Sequence, residues 1–212
     1  MFLSPRVRWL LSTFEGKKAL DIGFIGEAEA ELTVHKLLRK HHPHSEIIGL
    51  DTNEKKVKNC GFSNCVVGSL YDIPFKDNDF DAVVLGEVIE HLTDILPAFR
   101  EISRVLKHGG RLYLTTPSCY GFFRLFRHFF LSKKFYSYKN VRNFLGNDDH
   151  KMYWEPLSII NFLHMVDLEV IQMTTANLAI PYLPQRFREW NLPFWPFNRI
   201  GSYYCLVAQK IS

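Results

Sequence analysis

Two glutamates and a histidine follow a strongly apolar run near the middle of the chain. The run at residues 81–85 predicts a buried strand, and Gly86 indicates a turn into a helix. If a helical turn begins there, Glu87, Glu90 and His91 lie at positions i, i+3 and i+4 and share one helical face. Two carboxylates and an imidazole at the end of a central strand can bind a metal ion, transfer a proton or support local structure. The spacing therefore predicts a functional site and leaves its chemistry open.

The elements that would position this cluster alternate between strand-like and helix-like stretches. This alternation predicts an α/β fold built on a mostly parallel sheet with helices on both faces. The predicted strands cover residues 18–22, 46–50, 65–67, 80–85, 111–115, 168–173 and 203–208. The predicted helices are a leading helix before Gly16 and helices over residues 29–40, 53–59, 95–106 and 156–165. Residues 107–110 predict a helix stop followed by a turn.

Composition divides the chain into four parts. The leading helix occupies residues 1–16, and the alternating core occupies residues 17–117. Residues 118–155 are rich in aromatic and basic side chains and predict a helical cap or lid inserted after the fifth strand. Residues 156–212 are expected to complete the core sheet, and they include a loop rich in proline and aromatic residues.

The overall composition is that of a soluble globular protein. Hydrophobic residues make up 47% and charged residues 23% of the 212 residues. The four cysteines lack C-x-x-C spacing, which favours free thiols in a reducing cytosol over a zinc knuckle or a disulfide framework. The N-terminus lacks the features of a signal peptide, and no apolar run reaches the ~20 residues of a membrane span, so we expect a cytoplasmic protein.

A glycine-bearing turn follows the first predicted strand. Its sequence, Asp21-Ile22-Gly23-Phe24-Ile25-Gly26, would let the backbone approach a ligand at the carboxyl end of that strand. The second strand ends in Asp51, about where the hydroxyl groups of a ribose need an acceptor. Together these features indicate an adenosine-containing cofactor. NAD is the rival ligand, but the spacing differs from G-x-G-x-x-G and nothing marks a nicotinamide pocket.

Six motifs in order resemble the class I S-adenosylmethionine-dependent methyltransferases. They are Asp21-x-Gly23, Gly49-Leu50-Asp51, residues 72–75, residues 80–84, residues 106–110 and Thr115-Thr116-Pro117. The resemblance covers residues 17–117 and implies a Rossmann-like, seven-stranded sheet that binds S-adenosyl-L-methionine. The cofactor-binding residues that it implies are Asp21, Gly23, Phe24, Gly26, Asp51, Thr52, Ser69, Leu70 and Glu87. The chain departs from the pattern at Ile25 and Glu27, where many relatives carry glycine, and at Ser69, where relatives often carry aspartate.

The Glu-x-x-Glu-His cluster resembles motifs of three methyltransferase groups. These are the small-RNA 3′-terminal 2′-O-methyltransferases, the ubiquinone-pathway O-methyltransferases and the methyltransferases of glycan gene clusters. In the RNA group, two glutamates, a histidine and a later histidine hold a divalent ion. The resemblance thus implies a metal site formed by Glu87, Glu90, His91 and His150, where two imidazoles favour Mn, Fe, Co or Zn over Mg. In the alternative without a metal, Glu87 contacts the cofactor, Glu90 caps a helix and His91 is a core or general-base histidine.

Residues 118–147 carry six Lys/Arg side chains and no acidic residue, interleaved with aromatic residues. A cap helix whose aromatic side packs on the core is the simplest interpretation. The cations would also attract phosphate, as in an RNA end, a nucleotide sugar or a pyrophosphate-linked lipid. Peripheral contact with an anionic membrane surface is a third alternative.

These features together predict an S-adenosylmethionine-dependent O-methyltransferase. Its acceptor would be a hydroxyl of a small molecule or saccharide, including one of a vicinal pair, activated with or without a metal ion. The alternatives are 2′-O-methylation of an RNA 3′ end and a non-catalytic module that binds the cofactor. His35, in the helix after the glycine turn, is expected to serve only in packing.

Overall fold

The computed structural model describes residues 3–25, 29–121, 151–176 and 201–212. Within these residues, the helices are α1 (Pro5–Thr13), α2 (Glu29–His41), α3 (Glu54–Asn59), α4 (Leu96–Val105) and α5 (Pro156–His164). The strands are β1 (Lys18–Ile22), β2 (Glu46–Asp51), β3 (Cys65–Val67), β4 (Phe80–Gly86), β5 (Leu106–Pro117), β6 (Leu168–Ala176) and β7 (Tyr203–Lys210). A 3₁₀ helix (Ile89–His91) follows β4. The order of elements matches the order that the sequence predicts.

All of these strands belong to one sheet, in the order β3-β2-β1-β4-β5-β7-β6. Neighbouring strands from β3 to β5 are parallel, whereas β7 runs antiparallel to both β5 and β6. The prediction of a mostly parallel, seven-stranded sheet is confirmed. The strand order reverses between β1 and β4. Open α/β sheets bind ligands at a reversal of this kind, beyond the carboxyl ends of the strands.

The sheet is buried between helices on both faces. One hydrophobic cluster contains Phe99 and Ile102 of α4 and Leu163 of α5. A second cluster contains Leu10 of α1 and Leu38 of α2. Both clusters include residues of β1, β4 and β5, so the central strands are covered on either side, as parallel strands require. The prediction of helices on both faces is therefore confirmed.

Helix α1 is fixed to the rest of the molecule along its length. The Ser4 side chain caps its first turn by accepting a hydrogen bond from the N–H of Val7 at 3.4 Å. Near its end, Nε2 of His42 lies 3.2 Å from the carbonyl oxygen of Leu11. The Phe14 ring then packs on Tyr113 of β5, with 5.4 Å between ring centroids. These contacts hold α1 beside β5.

One turn of the predicted fold differs from the structure. Residues 107–110, predicted as a helix stop and a turn, lie within β5, because Leu106 already pairs with Phe80. The register of pairing then shifts before Ala82 pairs with Arg111. Gly109 has a φ of 75°, so the glycines form an irregularity within the strand rather than a turn that precedes it.

Most of the predicted cap at residues 118–155, and the proline-rich loop of the C-terminal part, lie outside the described residues. Their structure therefore stays a prediction. Among the residues that are described, no helix has both the length and the apolar character needed to cross a membrane.

The turn after β1 depends on a close contact between Gly49 of β2 and the buried ring of Phe24. A methyl group at Gly49 would lie 2.6 Å from Cδ1 of that ring. We therefore expect Gly49→Ala to lower the free energy of unfolding by about 1–3 kcal/mol, because the ring must move out of a packed core. Urea unfolding of the purified variant measures this loss.

Gly86→Ala is the matched control for Gly49→Ala, because the nearest atom to its added methyl group would be Oγ1 of Thr115 at an ordinary 3.6 Å. We expect a change within about 0.5 kcal/mol for this control. Equal losses for the two variants would contradict the packing explanation.

Candidate active site

A pocket opens at the carboxyl ends of β1, β4 and β5, beneath α1. It contains about 470 Å³ of unfilled space, including its open mouth. Its lining combines apolar side chains with an arginine and two carboxylates. The lining residues are Arg6, Val7, Leu10, Asp21, Ile22, Gly23, Phe24, Val34, Val84, Gly86, Glu87 and Thr115. Four residues that the sequence predicted as cofactor ligands, Asp21, Gly23, Phe24 and Glu87, therefore lie at one pocket.

The glycine turn forms the floor of this pocket. Gly23 has a φ of 71°, and its N–H donates to the carbonyl oxygen of Leu50 at 2.8 Å. A methyl group at Gly23 would lie 2.7 Å from Cγ2 of Val88, so the position requires glycine for both backbone conformation and space. Phe24 lines the pocket while most of its ring is buried in the core.

The other predicted cofactor residues follow β2 and β3, outside the lining of this pocket. Asp51 accepts hydrogen bonds from the N–H of Asn53 at 2.9 Å and from the N–H of Ile25 at 3.4 Å. The Ser69 hydroxyl accepts a hydrogen bond from the N–H of Tyr71 at 3.1 Å. Leu70 is largely buried in the core.

Asp51, Thr52 and Ser69 thus form a second, more exposed part of the same sheet edge. A ligand that reaches from the pocket to Asp51 would span the carboxyl ends of β1 and β2, as an adenosine cofactor does in this class of sheet. Gly26 lies outside the described residues.

Glu87 differs from its prediction as part of a helical turn. Its φ is 56°, in the left-handed region, and helical structure begins only at Ile89. Its N–H donates to the carbonyl oxygen of Thr115 at 2.8 Å, which ties the turn to β5. The predicted shared helical face of Glu87, Glu90 and His91 is therefore wrong, because the left-handed residue breaks the helix before it starts.

An ion pair connects Glu87 to α1. The Arg6 guanidinium lies 3.0 Å from Oε1 of Glu87 and forms an ion pair with it. The angles of this contact do not make it a hydrogen bond, and Oε1 accepts none from the described residues. The Arg6 guanidinium also lies 5.2 Å from the centre of the Tyr203 ring. Burial, together with the Glu87 carboxylate, raises the pKa of Tyr203 to about 12. Arg6 is therefore the cation that offsets the negative charge at this end of the pocket.

Glu90 is the most deeply buried carboxylate of the cluster, with 1% of its surface exposed. One carboxylate oxygen, Oε2, accepts a hydrogen bond from the Thr116 hydroxyl at 3.1 Å. The other, Oε1, has no hydrogen-bond partner among the described residues. Burial, with the Glu87 carboxylate as a further cause, raises the pKa of Glu90 to about 7, although the Thr116 hydroxyl and Arg6 act to lower it. A carboxylate with this pKa can accept or release a proton near neutral pH.

The chain beyond residue 150 docks on the 3₁₀ helix. The N–H groups of Lys151 and Met152 donate to the carbonyl oxygen of Glu90 at 2.9 and 3.1 Å. The indole N–H of Trp154 donates to the carbonyl oxygen of Ile89 at 2.9 Å. The segment that follows His150 is thereby held against the cluster, but His150 itself lies outside the described residues.

The described residues do not form a metal site by themselves. No group of three or more His, Cys, Asp and Glu side chains within residues 3–25, 29–121, 151–176 and 201–212 could hold a metal ion. Thr116 contacts Glu90, and Arg6 contacts Glu87. Glu87, Glu90 and His91 do not form a group of metal ligands among the described residues. The four-ligand site with His150 therefore stays a prediction from the sequence.

Sequence reasoning missed three residues of this site: Arg6, Thr116 and His35. Arg6 is far from the cluster in sequence, and nothing in α1 marks it as the partner of Glu87. Thr116 belongs to the Thr-Thr-Pro motif, but the motif does not say which threonine binds a carboxylate. His35, expected only to pack, lies 2.8 Å from a carboxylate oxygen of Asp21.

Comparisons with known proteins identify the family of the chain. A family model described as "Methyltransferase domain" matches residues 21–114. A curated relative from Thermotoga maritima is 31% identical over 192 residues, which are 86% of this chain and 79% of the relative. A relative from Staphylococcus carnosus is 36% identical over 112 residues, which are 50% of this chain and 45% of the relative. Both are named demethylmenaquinone methyltransferase.

Solved structures share the fold at low identity. An S-adenosylmethionine-dependent methyltransferase from Thermotoga maritima superimposes with a TM-score of 0.68 at 16% identity, covering 97% of this chain and 88% of that protein. One from Archaeoglobus fulgidus gives 0.66 at 19% identity, covering 97% and 91%. The chain belongs to the family of S-adenosylmethionine-dependent methyltransferases. Its match covers less than half of the Staphylococcus carnosus relative, so the activity of the whole protein is a matter for proposal.

The raised pKa of Glu90 has a consequence for stability. The pKa is about 7 in the folded protein against an ordinary 4.5, so the folded state holds the proton more tightly than the unfolded state does. The free energy of unfolding should therefore fall as the pH rises from 4.5 to about 7, by up to about 3 kcal/mol. Glu90→Gln removes the titrating group, and we expect urea unfolding across this range to show a correspondingly flatter pH dependence.

Glu169→Gln serves as the control for Glu90→Gln, because Glu169 is exposed on β6. Its pH dependence should match that of the wild type. A Glu90→Gln variant with an unchanged pH dependence would show that Glu90 is not a buried, destabilised carboxylate.

Proposed function

We propose that the protein transfers the methyl group of S-adenosylmethionine to a small acceptor that carries an acidic ring hydroxyl, with Glu90 as the proton acceptor. The observation that carries this proposal is the buried Glu90 carboxylate, hydrogen-bonded on one oxygen by Thr116 and without a donor among the described residues on the other. Its pKa of about 7 suits a general base at neutral pH.

The charges of the pocket fit the amino-acid end of the cofactor. Arg6 can pair with an α-carboxylate, and the carboxylates of Asp21 and Glu87 can accept from an α-ammonium group. Asp51, at the end of β2, would accept from the ribose hydroxyls. When bound, S-adenosylmethionine supplies an electrophilic methyl group on a positively charged sulfur. The role of the chain is to bind and orient both reactants and to remove the proton of the acceptor.

The pKa of Glu90 favours a ring hydroxyl over a sugar hydroxyl. A phenolic hydroxyl has a pKa of about 10, so a base with a pKa of about 7 can take its proton with a modest penalty. A sugar hydroxyl is several orders of magnitude less acidic and would need further activation. Loss of the proton moves electron density onto the oxygen and the adjacent ring carbon. Attack by either atom on the methyl group breaks the bond between that methyl group and sulfur, which leaves as a neutral thioether. A ring carbon that has been methylated then loses its hydrogen as a proton, and the aromatic ring and its hydroxyl are restored.

The names of the curated relatives point to the same class of acceptor. Both relatives are named for demethylmenaquinone, a quinone that lacks a methyl group. The reduced form of a quinone carries ring hydroxyls of the kind that Glu90 could deprotonate. We therefore propose a reduced quinone or a similar hydroxylated ring as the acceptor, with methylation at the ring carbon beside the hydroxyl.

The other acceptors predicted from the sequence gain no support from the described residues. Neither the site nor the names of these relatives indicate a saccharide, a vicinal diol or an RNA 3′ end. The described residues also form no metal site that would assist the transfer. Membership of the methyltransferase family favours an enzyme over a non-catalytic module that binds the cofactor, and methyl transfer to an acceptor, rather than cofactor binding, separates the two.

Isothermal titration calorimetry with S-adenosylmethionine tests the cofactor site. We expect saturable binding by the wild type and roughly 10-fold or weaker binding by Asp51→Ala, because the ribose loses its charged acceptor. Glu54→Ala, on the exposed side of α3, is the control and should bind as the wild type does. Absence of binding by the wild type at millimolar ligand would contradict the proposal.

Methyl transfer to a reduced naphthoquinone, followed by mass spectrometry of the product, tests the role of Glu90. We expect Glu90→Gln to lower kcat/KM by roughly 100-fold or more, because the acceptor keeps its proton. In the wild type, kcat/KM should rise with pH through about 7 as Glu90 loses its proton.

Thr116→Val is the matched variant for the pH profile. The Thr116 hydroxyl stabilises the ionised form of Glu90, so its loss should move the rise in kcat/KM to higher pH. A wild-type rate that is independent of pH between about 5 and 9, or full activity in Glu90→Gln, would exclude Glu90 as the base.

A further inference from the structure

A buried pair of side chains lies directly behind the pocket floor. Nδ1 of His35, on α2, is 2.8 Å from Oδ2 of Asp21, at the end of β1. The side chain of His35 is fully buried, and that of Asp21 is 6% exposed. Because a carboxylate can only accept, Nδ1 of the imidazole carries the proton in this contact. The pair therefore has one defined donor and one defined acceptor.

The histidine ring is held in place by two aromatic side chains. The ring of Phe24 lies 4.9 Å from it between centroids, and the ring of Phe62 lies 4.9 Å away in an edge-on arrangement. The second ring nitrogen, Nε2, has no hydrogen-bond partner among the described residues. A buried N–H at Nε2 would be left without an acceptor there, so the tautomer that carries its hydrogen on Nδ1 fits these surroundings.

The partner of this histidine is a lining residue of the pocket. Asp21 lies there beside Gly23, and only 4% of the residue is exposed. Burial of a carboxylate costs free energy unless hydrogen bonds stabilise its charge. His35 supplies such a bond to Oδ2, while Asp21 remains a lining residue of the pocket, where a ligand can reach it. The contact thus gives the buried carboxylate a hydrogen-bond donor and fixes the direction of its side chain.

We propose that His35 is a positioning residue of the cofactor site, which holds Asp21 in the orientation that accepts a hydrogen bond from the amino-acid end of S-adenosylmethionine. This role rests on the proposed function, because it assigns the cofactor to the same pocket. It goes beyond packing, since an apolar ring of equal size would fill the space between Phe24 and Phe62 and would leave Asp21 without its donor.

Two substitutions separate the ring from the hydrogen bond. His35→Phe keeps an aromatic ring between Phe24 and Phe62 and removes the donor. His35→Asn removes the ring and retains an amide N–H near the position of Nδ1. We expect His35→Phe to weaken S-adenosylmethionine binding roughly 10-fold in calorimetry, whereas His35→Asn binds within about threefold of the wild type despite a lower melting temperature.

A destabilised control separates affinity from stability. Leu38→Ala, on the same helix, empties a fully buried position outside the pocket lining, so it should lower the melting temperature and leave the dissociation constant unchanged. If His35→Phe does not fold, His35→Gln replaces it, because its amide lies nearer the position of Nε2 than that of Nδ1. The comparison with His35→Asn then remains the same.

A double-mutant cycle tests whether His35 acts through Asp21. In an Asp21→Asn background, His35→Phe should have little further effect on the dissociation constant, because the carboxylate that it positions is gone. Equal weakening by His35→Phe in both backgrounds, or equal affinity of the wild type and His35→Phe, would overturn the role of His35. Absence of binding by the wild type would instead overturn the proposed function, so the two failures are distinguishable.

Discussion

The cost of burying the Glu90 carboxylate is the constraint on which this site depends. A charge removed from water must be compensated or it will take up a proton. Here the compensation is partial: the Thr116 hydroxyl contacts one oxygen, and the positive charge of Arg6, which pairs with Glu87, also lowers the pKa of Glu90. The result is a carboxylate that is neither firmly ionised nor firmly protonated at neutral pH, which is the state that a general base requires.

This compensation explains why separate parts of the fold must come together at one place. Arg6 is contributed by α1, Thr116 by β5, and Glu87 and Glu90 by the turn after β4. The chain from Lys151 to Trp154 then holds the backbone of this turn through three hydrogen bonds. The pocket proposed to bind the cofactor lies next to this assembly because β1 and β4 are neighbours at the point where the strand order reverses.

The sequence predicts the sheet well because its strands are local apolar runs. Residues 18–22 and 65–67 were predicted with the bounds that the structure has, and other predicted strands are extended by a few residues at their ends. The start of β5 was missed, since the glycines of residues 107–110 indicate a turn and only the pairing of Leu106 with Phe80 makes them part of a strand. The pairing with β4 therefore overrides the preference of these glycines for a turn.

The site was predicted in part, for the same physical reason. The sequence indicates Asp21 and Gly23 at the end of β1, and Glu87 and Glu90 after β4, because spacing at the end of each strand is a local property. The structure brings Asp21, Gly23 and Glu87 to one pocket. It does not indicate the left-handed conformation of Glu87, which depends on the hydrogen bond to β5 and the ion pair with Arg6. The bond between His35 and Asp21 likewise joins two elements, so a sequence pattern shows only an imidazole on a buried helix face.

The central claim is that Glu90 exchanges a proton near neutral pH, and the titration of its own carboxyl group tests this most directly. Carbon-detected NMR of protein labelled at glutamate side-chain carboxyl groups, with the Glu90 signal assigned by its absence in Glu90→Gln, follows that proton. The midpoint of this titration should lie at about 7. A midpoint at the ordinary 4.5 would contradict the central claim.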